Sequence, residues 1–204
     1  QRRNDGLPAP PAEAEATAPA HVASAPGAYP AVRMRRNRKA DWSRRLVAEH
    51  RLETADLIWP IFLIDRPERR SPVDHMPGVD RVNIEEAVRD AETAAKLGIA
   101  AIAPFPYVEK TLRDPEGREA IAAGNLMCRA VAAIKRAVPE IGIISDVALD
   151  PYTSHGHDGW MDDQGRIVND PTVGQLCRQA LVLAEAGVDC VAPSDMMDGR
   201  IGAI

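Results

Sequence analysis

Four short apolar runs recur along the chain at an even spacing, and that beat constrains the fold more than any single residue does. They are Leu57–Ile64 (LIWPIFLI), Ile99–Phe105 (IAAIAPF), Ile141–Leu149 (IGIISDVAL) and Val188–Met197 (VDCVAPSDMM). Each is nearly continuous in apolar character and bounded by Gly, Pro or Asp, as expected of parallel strands buried on both faces. Helical patterns lie between them. NIEEAVRDAETAAKLG offers Asn83 as an N-cap, acids in its first turn and Gly98 as a stop. GREAIAAGNLMCRAVAAIKRAVP ends at Pro139, and DPTVGQLCRQALVLAEAG runs from Asp170 as cap to Gly187. The strand starts at 57, 99, 141 and 188 make βα units of 42, 42 and 47 residues. Strands alternating with helices at that spacing predict a parallel sheet with crossover helices.

Two architectures use that sheet. A doubly wound fold would most often carry a glycine-rich phosphate loop after its first strand, and this chain has none there. A TIM (β/α)8 barrel needs eight strands in ~250 residues, and the 204 residues here have room for four units. The chain stops at GRIGAI, in what reads as the opening of another helix. The expectation is an α/β fold holding the first four βα units of a (β/α)8 barrel over 57–204. The longest apolar run, Leu57–Ile64, is interrupted by Pro60 and falls well short of the ~20 residues of a membrane span, so no membrane partner is expected.

The region before the first strand differs in composition. Residues 1–30 hold six prolines and much alanine, too little apolar surface to offset ordering, so a disordered low-complexity tail is expected there. A transit peptide would read similarly, but Glu13 and Glu15 count against it. Residues 31–56 are expected to form an extended basic arm with a short helix. Its segment RMRRNRKADWSRR (33–45) carries seven basic residues and one acid. Without glycine, and with Trp42 as its one aromatic, it reads as a solvated arm or a helix face docked on a neighbouring subunit rather than a nucleic-acid site. The net charge of −5 likewise gives no reason to expect nucleic acid. Three scattered cysteines, Cys128, Cys177 and Cys190, suggest small buried hydrophobes in a reducing, cytoplasmic setting rather than a disulfide framework.

In a barrel, chemistry sits at the C-terminal ends of the strands. That rule singles out SDVALDPYTSHGHDGW, where Asp146, Asp150, His155, His157 and Asp158 fall within thirteen residues. Acids and imidazoles on such a loop bind metals or move protons. They equally make ordinary turns, with aspartates capping and histidines in solvent. The rule also picks out APSDMMDGR, with Ser194, Asp195, Asp198 and Arg200. A carboxylate such as Asp195 at the mouth of a buried strand needs a partner, which a substrate amine, a lysine or Arg200 would supply. Asp198 fits better as the N-cap or first acid of the next helix.

DVALDPYTSHGHDG resembles the metal-loop motif of the porphobilinogen synthase (5-aminolevulinate dehydratase) family, and APSDMMDGR resembles that family's other hallmark block. RMRRNRKADWSRRLVAEHRLETADLIWPIFL is similar to its N-terminal arm and first strand, and MPGV at 76–79 to the following loop. The resemblance spans about 31–204. It implies a TIM-barrel lyase of tetrapyrrole (heme) biosynthesis that joins two 5-aminolevulinate molecules through Schiff bases to two lysines. It also implies a homo-oligomer, an octamer in the family, assembled through the arm. Asp146 matches an active-site aspartate, and Ser194 and Asp195 match residues lining the same cavity. Positions 148, 150 and 158 match three zinc-binding cysteines, but are Ala148, Asp150 and Asp158 here. Two hard carboxylates suit magnesium held weakly and do not suit tight zinc, while the family's main allosteric magnesium site is expected outside this chain. None of Lys39, Lys96, Lys110 and Lys135 matches the lysine motifs. The chain alone is therefore expected to be inactive, and the alternative role is that of a non-catalytic assembly module. With half a barrel, the first and fourth strands are expected to present open edges and one apolar sheet face to lie uncovered.

Overall fold

The computed structural model describes Gly27, Tyr29, Val32, Arg33 and residues 35–204; apart from Gly27 and Tyr29, the low-complexity tail read at 1–30 lies outside the described residues. The chain divides into two compact units, the first ending at Arg51 and the second running over Leu52–Ile204. In the first unit, a 3₁₀ turn at Arg36–Arg38 precedes helix α1, Asp41–Leu46. Ser43 is the residue α1 buries, and its hydroxyl donates to the Ala40 and Asn37 carbonyls.

The second unit holds a six-stranded sheet with helices along one face. Its strands are β1 (Ile58–Leu63), β2 (Arg70–Pro72), β3 (Asp80–Val82), β4 (Ala101–Pro106), β5 (Gly142–Val147) and β6 (Cys190–Pro193). The order is β2-β3-β1-β4-β5-β6. β1, β4, β5 and β6 are the four expected strands, side by side, parallel and in chain order. Each is shorter than its apolar run. β6 stops at Pro193, which has no N–H to continue a ladder.

Burial corrects one expectation. The strands are not buried on both faces but alternate, as Ile102, Ile143, Ser145 and Val147 are buried while Ala101, Phe105, Ile144 and Asp146 are only partly covered. The buried face packs on α2 (Ile84–Leu97), α3 (Leu126–Ala137) and α4 (Asn169–Ala186). The other face carries Phe62 and Phe105, register partners whose ring centroids lie 5.9 Å apart.

The expected open edge of the first strand is also corrected. β3 runs parallel to the end of β1, with Phe62 opposite Arg81 and Leu63 opposite Val82. β2 and β3 form an antiparallel hairpin through the MPGV turn, where Gly78 takes φ 81°. An ion network fastens the hairpin to α2: Arg70 meets Glu86 at 3.1 Å and also Asp90, and Arg89 meets Glu86 at 2.6 Å.

Helix ends follow side-chain chemistry. Asn83 caps α2 by accepting from the Glu86 N–H at 3.0 Å, and Gly98 closes it at φ 80°. The GREAIAAGNLM stretch is not continuous helix. It makes a 3₁₀ turn at Arg118–Ile121, and α3 starts only at Leu126. Asn125 forces the break, because its side chain accepts from Cys128 N–H and donates to the Glu119 and Ala120 carbonyls. Asp170 is not the cap of α4, which begins at Asn169 after Val168. Asp198 does not cap the last helix, α5 (Arg200–Ala203), because Gly199 holds that position at φ 81°.

Candidate functional site

Strand alternation puts Asp146 on the open face, one residue before the end of β5, at the C-terminal mouth of the sheet. Burial pushes its carboxyl up from the ordinary range, and the negative charges of Asp158 and Asp195 push the same way. The Ser194 side chain, just past the end of β6, and the Val147 backbone pull it back. Its Oδ1 is buried with no hydrogen-bond partner. A carboxyl held neutral more readily than usual, with one oxygen unspent, is equipped to exchange a proton with whatever binds there.

The loop after β5 is built on the loop after β4. Leu149 O accepts from Tyr152 and Thr153 N–H, and a bridge between Asp114 and Thr153 joins the two loops. The Thr153 hydroxyl donates to His157 O at 2.9 Å, and the Trp160 indole donates to Glu116 O at 2.9 Å. His155 accepts from His157 N–H through Nδ1, which leaves Nε2 to carry the proton toward Pro115 O at 3.2 Å. The two imidazoles, 5.7 Å apart, therefore brace the loop. Gly159 is required by crowding, since a Cβ there would meet Thr172 Oγ1 at 2.7 Å and Ile167 at 2.8 Å.

α4 supplies the floor. Its buried stripe is Thr172, Gln175, Leu176, Gln179, Ala180 and Leu183, and three of those six are polar. Gln179 donates to Ala148 O at 3.1 Å and Gln175 reaches the Glu116 and Gly117 carbonyls, while Gln179 Oε1 stays buried without a partner. Asn169, at the start of α4, clasps the second hallmark loop, accepting from Asp198 N–H at 2.7 Å and donating to Asp198 O at 3.1 Å. Sequence reasoning passed over Asn169, Gln175 and Gln179. The available signal was two glutamines on the apolar stripe of a helix.

Within that second loop, Ser194 is exposed beside Asp146, whereas Asp195 is 1% exposed. Asp195 Oδ1 accepts from Met197 N–H at 2.7 Å, and Oδ2 lies 3.1 Å from Arg200 Nε. That ion pair is close but poorly aligned, so neither atom gains a directed hydrogen bond. Of the three partners foreseen for Asp195, Arg200 is the one present, and the carboxylate is committed to shaping its own loop.

Ala148 is buried with its carbonyl taken by Gln179, Asp150 is exposed and Asp158 half-buried. The Asp150 carboxyl is raised by partial burial and by the charges of Asp158 and Asp146, with Arg113 opposing. Among the described residues no three His, Cys, Asp or Glu side chains gather as a metal centre. The two carboxylates repel one another across this loop.

The lysines of the second unit lie elsewhere. Lys135 pairs with Asp189 and donates to Ile141 O at the N-terminal end of the strands, and Lys96 faces solvent on α2. Lys110 is exposed in a 3₁₀ turn after β4. A cleft of about 380 Å³ lined by Glu92, Gly98 and Glu140 also opens at the N-terminal end, away from the carboxyl cluster.

Comparison with known proteins identifies the family. The family model described as "Delta-aminolevulinic acid dehydratase" matches residues 31–204. The chain belongs to the delta-aminolevulinic acid dehydratase family. It is 59% identical over 183 residues to the dehydratase of Bradyrhizobium diazoefficiens, covering 90% of this chain and 52% of that protein. Against the Rhodobacter capsulatus dehydratase the identity is 42% over 176 residues, covering 86% and 53%. The crystal structure of the Toxoplasma gondii dehydratase, in complex with the reaction product porphobilinogen, superposes with a TM-score of 0.82 at 46% identity, covering 85% of this chain and 49% of that one. The chain thus spans about half the length of the curated relatives it matches, and its parallel sheet is a dehydratase TIM-barrel fragment.

Proposed function

We propose that this chain supplies the Asp146–Ser194 side of an active site that condenses two 5-aminolevulinate molecules into porphobilinogen. The observation that carries the reading is the Asp146 carboxyl, at the mouth of a dehydratase-type sheet with its ionisation disfavoured and Oδ1 unspent. In that role Asp146 accepts a proton from the substrate amine that attacks, and returns one as water leaves. Ser194 orients the Asp146 carboxyl. Asp195, through Arg200 and Met197 N–H, holds the loop that carries Ser194 and is a positioning residue. The amines for Schiff-base formation are not among Lys96, Lys110 and Lys135, whose surroundings give no desolvated lysine at the mouth. The share of the reaction assigned to this chain is thus proton transfer and substrate placement.

Asp150 and Asp158 are the residues that would hold a divalent cation, of the magnesium type, in the loop after β5. Such an ion would supply charge to offset their mutual repulsion, with water completing its coordination. We further propose that the basic arm packs on a second copy of the chain, and that the protein works in the reducing cytoplasm. No helix among the described residues is long and apolar enough to cross a membrane.

The test is a chimera in which residues 31–204 replace the matching segment of the Bradyrhizobium dehydratase. Formation of porphobilinogen from 5-aminolevulinate at a rate near that of the parent supports the reading. A folded, oligomeric chimera without pyrrole formation would contradict it, and would favour an assembly role.

A further inference from the structure

Three guanidinium groups converge on one aromatic ring at the C-terminal mouth of the sheet. Arg66 follows β1, Arg81 is the middle residue of β3, and Arg113 lies in the loop after β4. Their guanidinium carbons sit 5.6, 5.2 and 5.7 Å from the centroid of Tyr107. Tyr107 is the first residue past β4, fixed by its N–H to Leu63 O at 2.8 Å. Arg81 is the register partner of Phe62, which places it on the open face beside the Phe62–Phe105 pair.

Charge within the cluster is unbalanced. Arg66 is paired with Glu109 at 2.7 Å, and Glu68 lies within electrostatic reach of it. Asp65, nearby, is taken by Arg129. Arg113 commits Nε and Nη2 to the Val108 carbonyl, at 2.9 and 2.8 Å, and among the described residues it makes no close ion pair, Glu109 and Asp150 lying only within electrostatic reach. Among the described residues Arg81 has the Tyr107 ring as its contact and no ion pair. A ring face attracts each cation by ~0.5–1 kcal/mol at such partly exposed sites, but it neutralises none of them. Guanidiniums gathered around one ring stand within about a Debye length of each other and repel. A bound anion removes that repulsion, and the planar fork of arginine suits an oxyanion.

We propose that Arg66, Arg81 and Arg113 form an anion site for a carboxylate or phosphate group at the sheet's mouth. Arg81, with its donors uncommitted, is the principal ligand, and Arg113 and Arg66 add charge. The site stands on this geometry and does not depend on the dehydratase activity. The test is an NMR or calorimetric titration of the purified protein with inorganic phosphate, and in a second arm with propionate, at constant ionic strength in chloride. Saturable binding that weakens at least tenfold in Arg81→Gln supports the site, and the arm that saturates tells a phosphate from a carboxylate ligand. Arg66→Gln, on an exposed side chain, gives the same readout should Arg81→Gln fail to fold, with several-fold weakening expected. Arg136→Gln, in the exposed last turn of α3, is expected to change nothing. No saturable binding of either anion, unchanged binding in the folded cluster variants, or equal weakening in Arg136→Gln would overturn the proposal.

Discussion

Replacing Asp146 by Asn is expected to stabilise the fold at neutral pH while removing the proposed proton-transfer group. Burial is the largest influence on this carboxyl, with Asp158 and Asp195 adding to it, so its folded pKa lies above the unfolded value near ~3.9. The sign follows from linkage. Below the unfolded pKa the group is neutral in both states and costs nothing. As pH rises through the raised folded pKa, the native state takes on a poorly solvated charge and that stability is lost. Each tenfold displacement of the proton equilibrium is worth ~1.4 kcal/mol, and the neighbouring Ser194 side chain offsets part of it. Asp146→Asn is therefore expected to be the more stable protein at pH 7, with the higher Tm, each ~1 kcal/mol of gain raising Tm by roughly 2–4 °C in a chain of this size. Thermal and urea melts of both proteins at intervals from pH 4 to 8 make the assay. The two stabilities should converge toward pH 4 and separate toward pH 7. A variant less stable than the parent at pH 7, or a difference independent of pH, would refute the reasoning.

Three further outcomes follow from the packing. Arg200→Met should cost ~3–5 kcal/mol by leaving the buried Asp195 charge unpaired, and the double variant Asp195→Asn/Arg200→Met should recover much of it, as read by a double-mutant cycle. Gln179→Leu removes the donor to Ala148 O and should cost ~1–3 kcal/mol, with faster amide exchange confined to the 148–160 loop. In the chimera described above, turnover should survive zinc-selective chelation, and replacing Ala148, Asp150 and Asp158 together by Cys should create stoichiometric zinc binding. Zinc bound by the unaltered loop and lost on Asp150→Ala would contradict the hard-ligand reading.

The four parallel strands were legible because each apolar run is long enough to fill a buried face, and Asn83 and Gly98 marked the ends of α2 through side-chain and backbone chemistry. The β2–β3 hairpin was not legible, because three-residue strands such as RSP and DRV carry no hydrophobic period and hold their place through Arg70 and the β1 register. The late start of α3 depends on Asn125 bonding in two directions at once, which a helical pattern of apolar residues conceals. At the site, Asp146 and Ser194 stood out by their position at strand ends. Asp195 stood out for the same reason, yet its carboxylate turns toward Met197 and Arg200, a choice made by loop geometry. The glutamines of α4 were hidden in plain view, since a polar residue on a buried stripe acquires meaning only when the carbonyl it serves is known.

The most direct measurement of the central claim is the single-turnover rate of porphobilinogen formation by the chimera carrying Asp146→Asn or Asp146→Glu. Loss of a positioned acid–base group is expected to lower the chemical step by ~10²–10⁴-fold in Asp146→Asn. Substrate binding should be nearly unchanged, and Asp146→Glu should recover part of the rate with an altered pH profile. An Asp146→Asn chimera that turns over within a few-fold of the unaltered one would contradict the assignment of this carboxyl, and with it the account of how this chain takes part in the reaction.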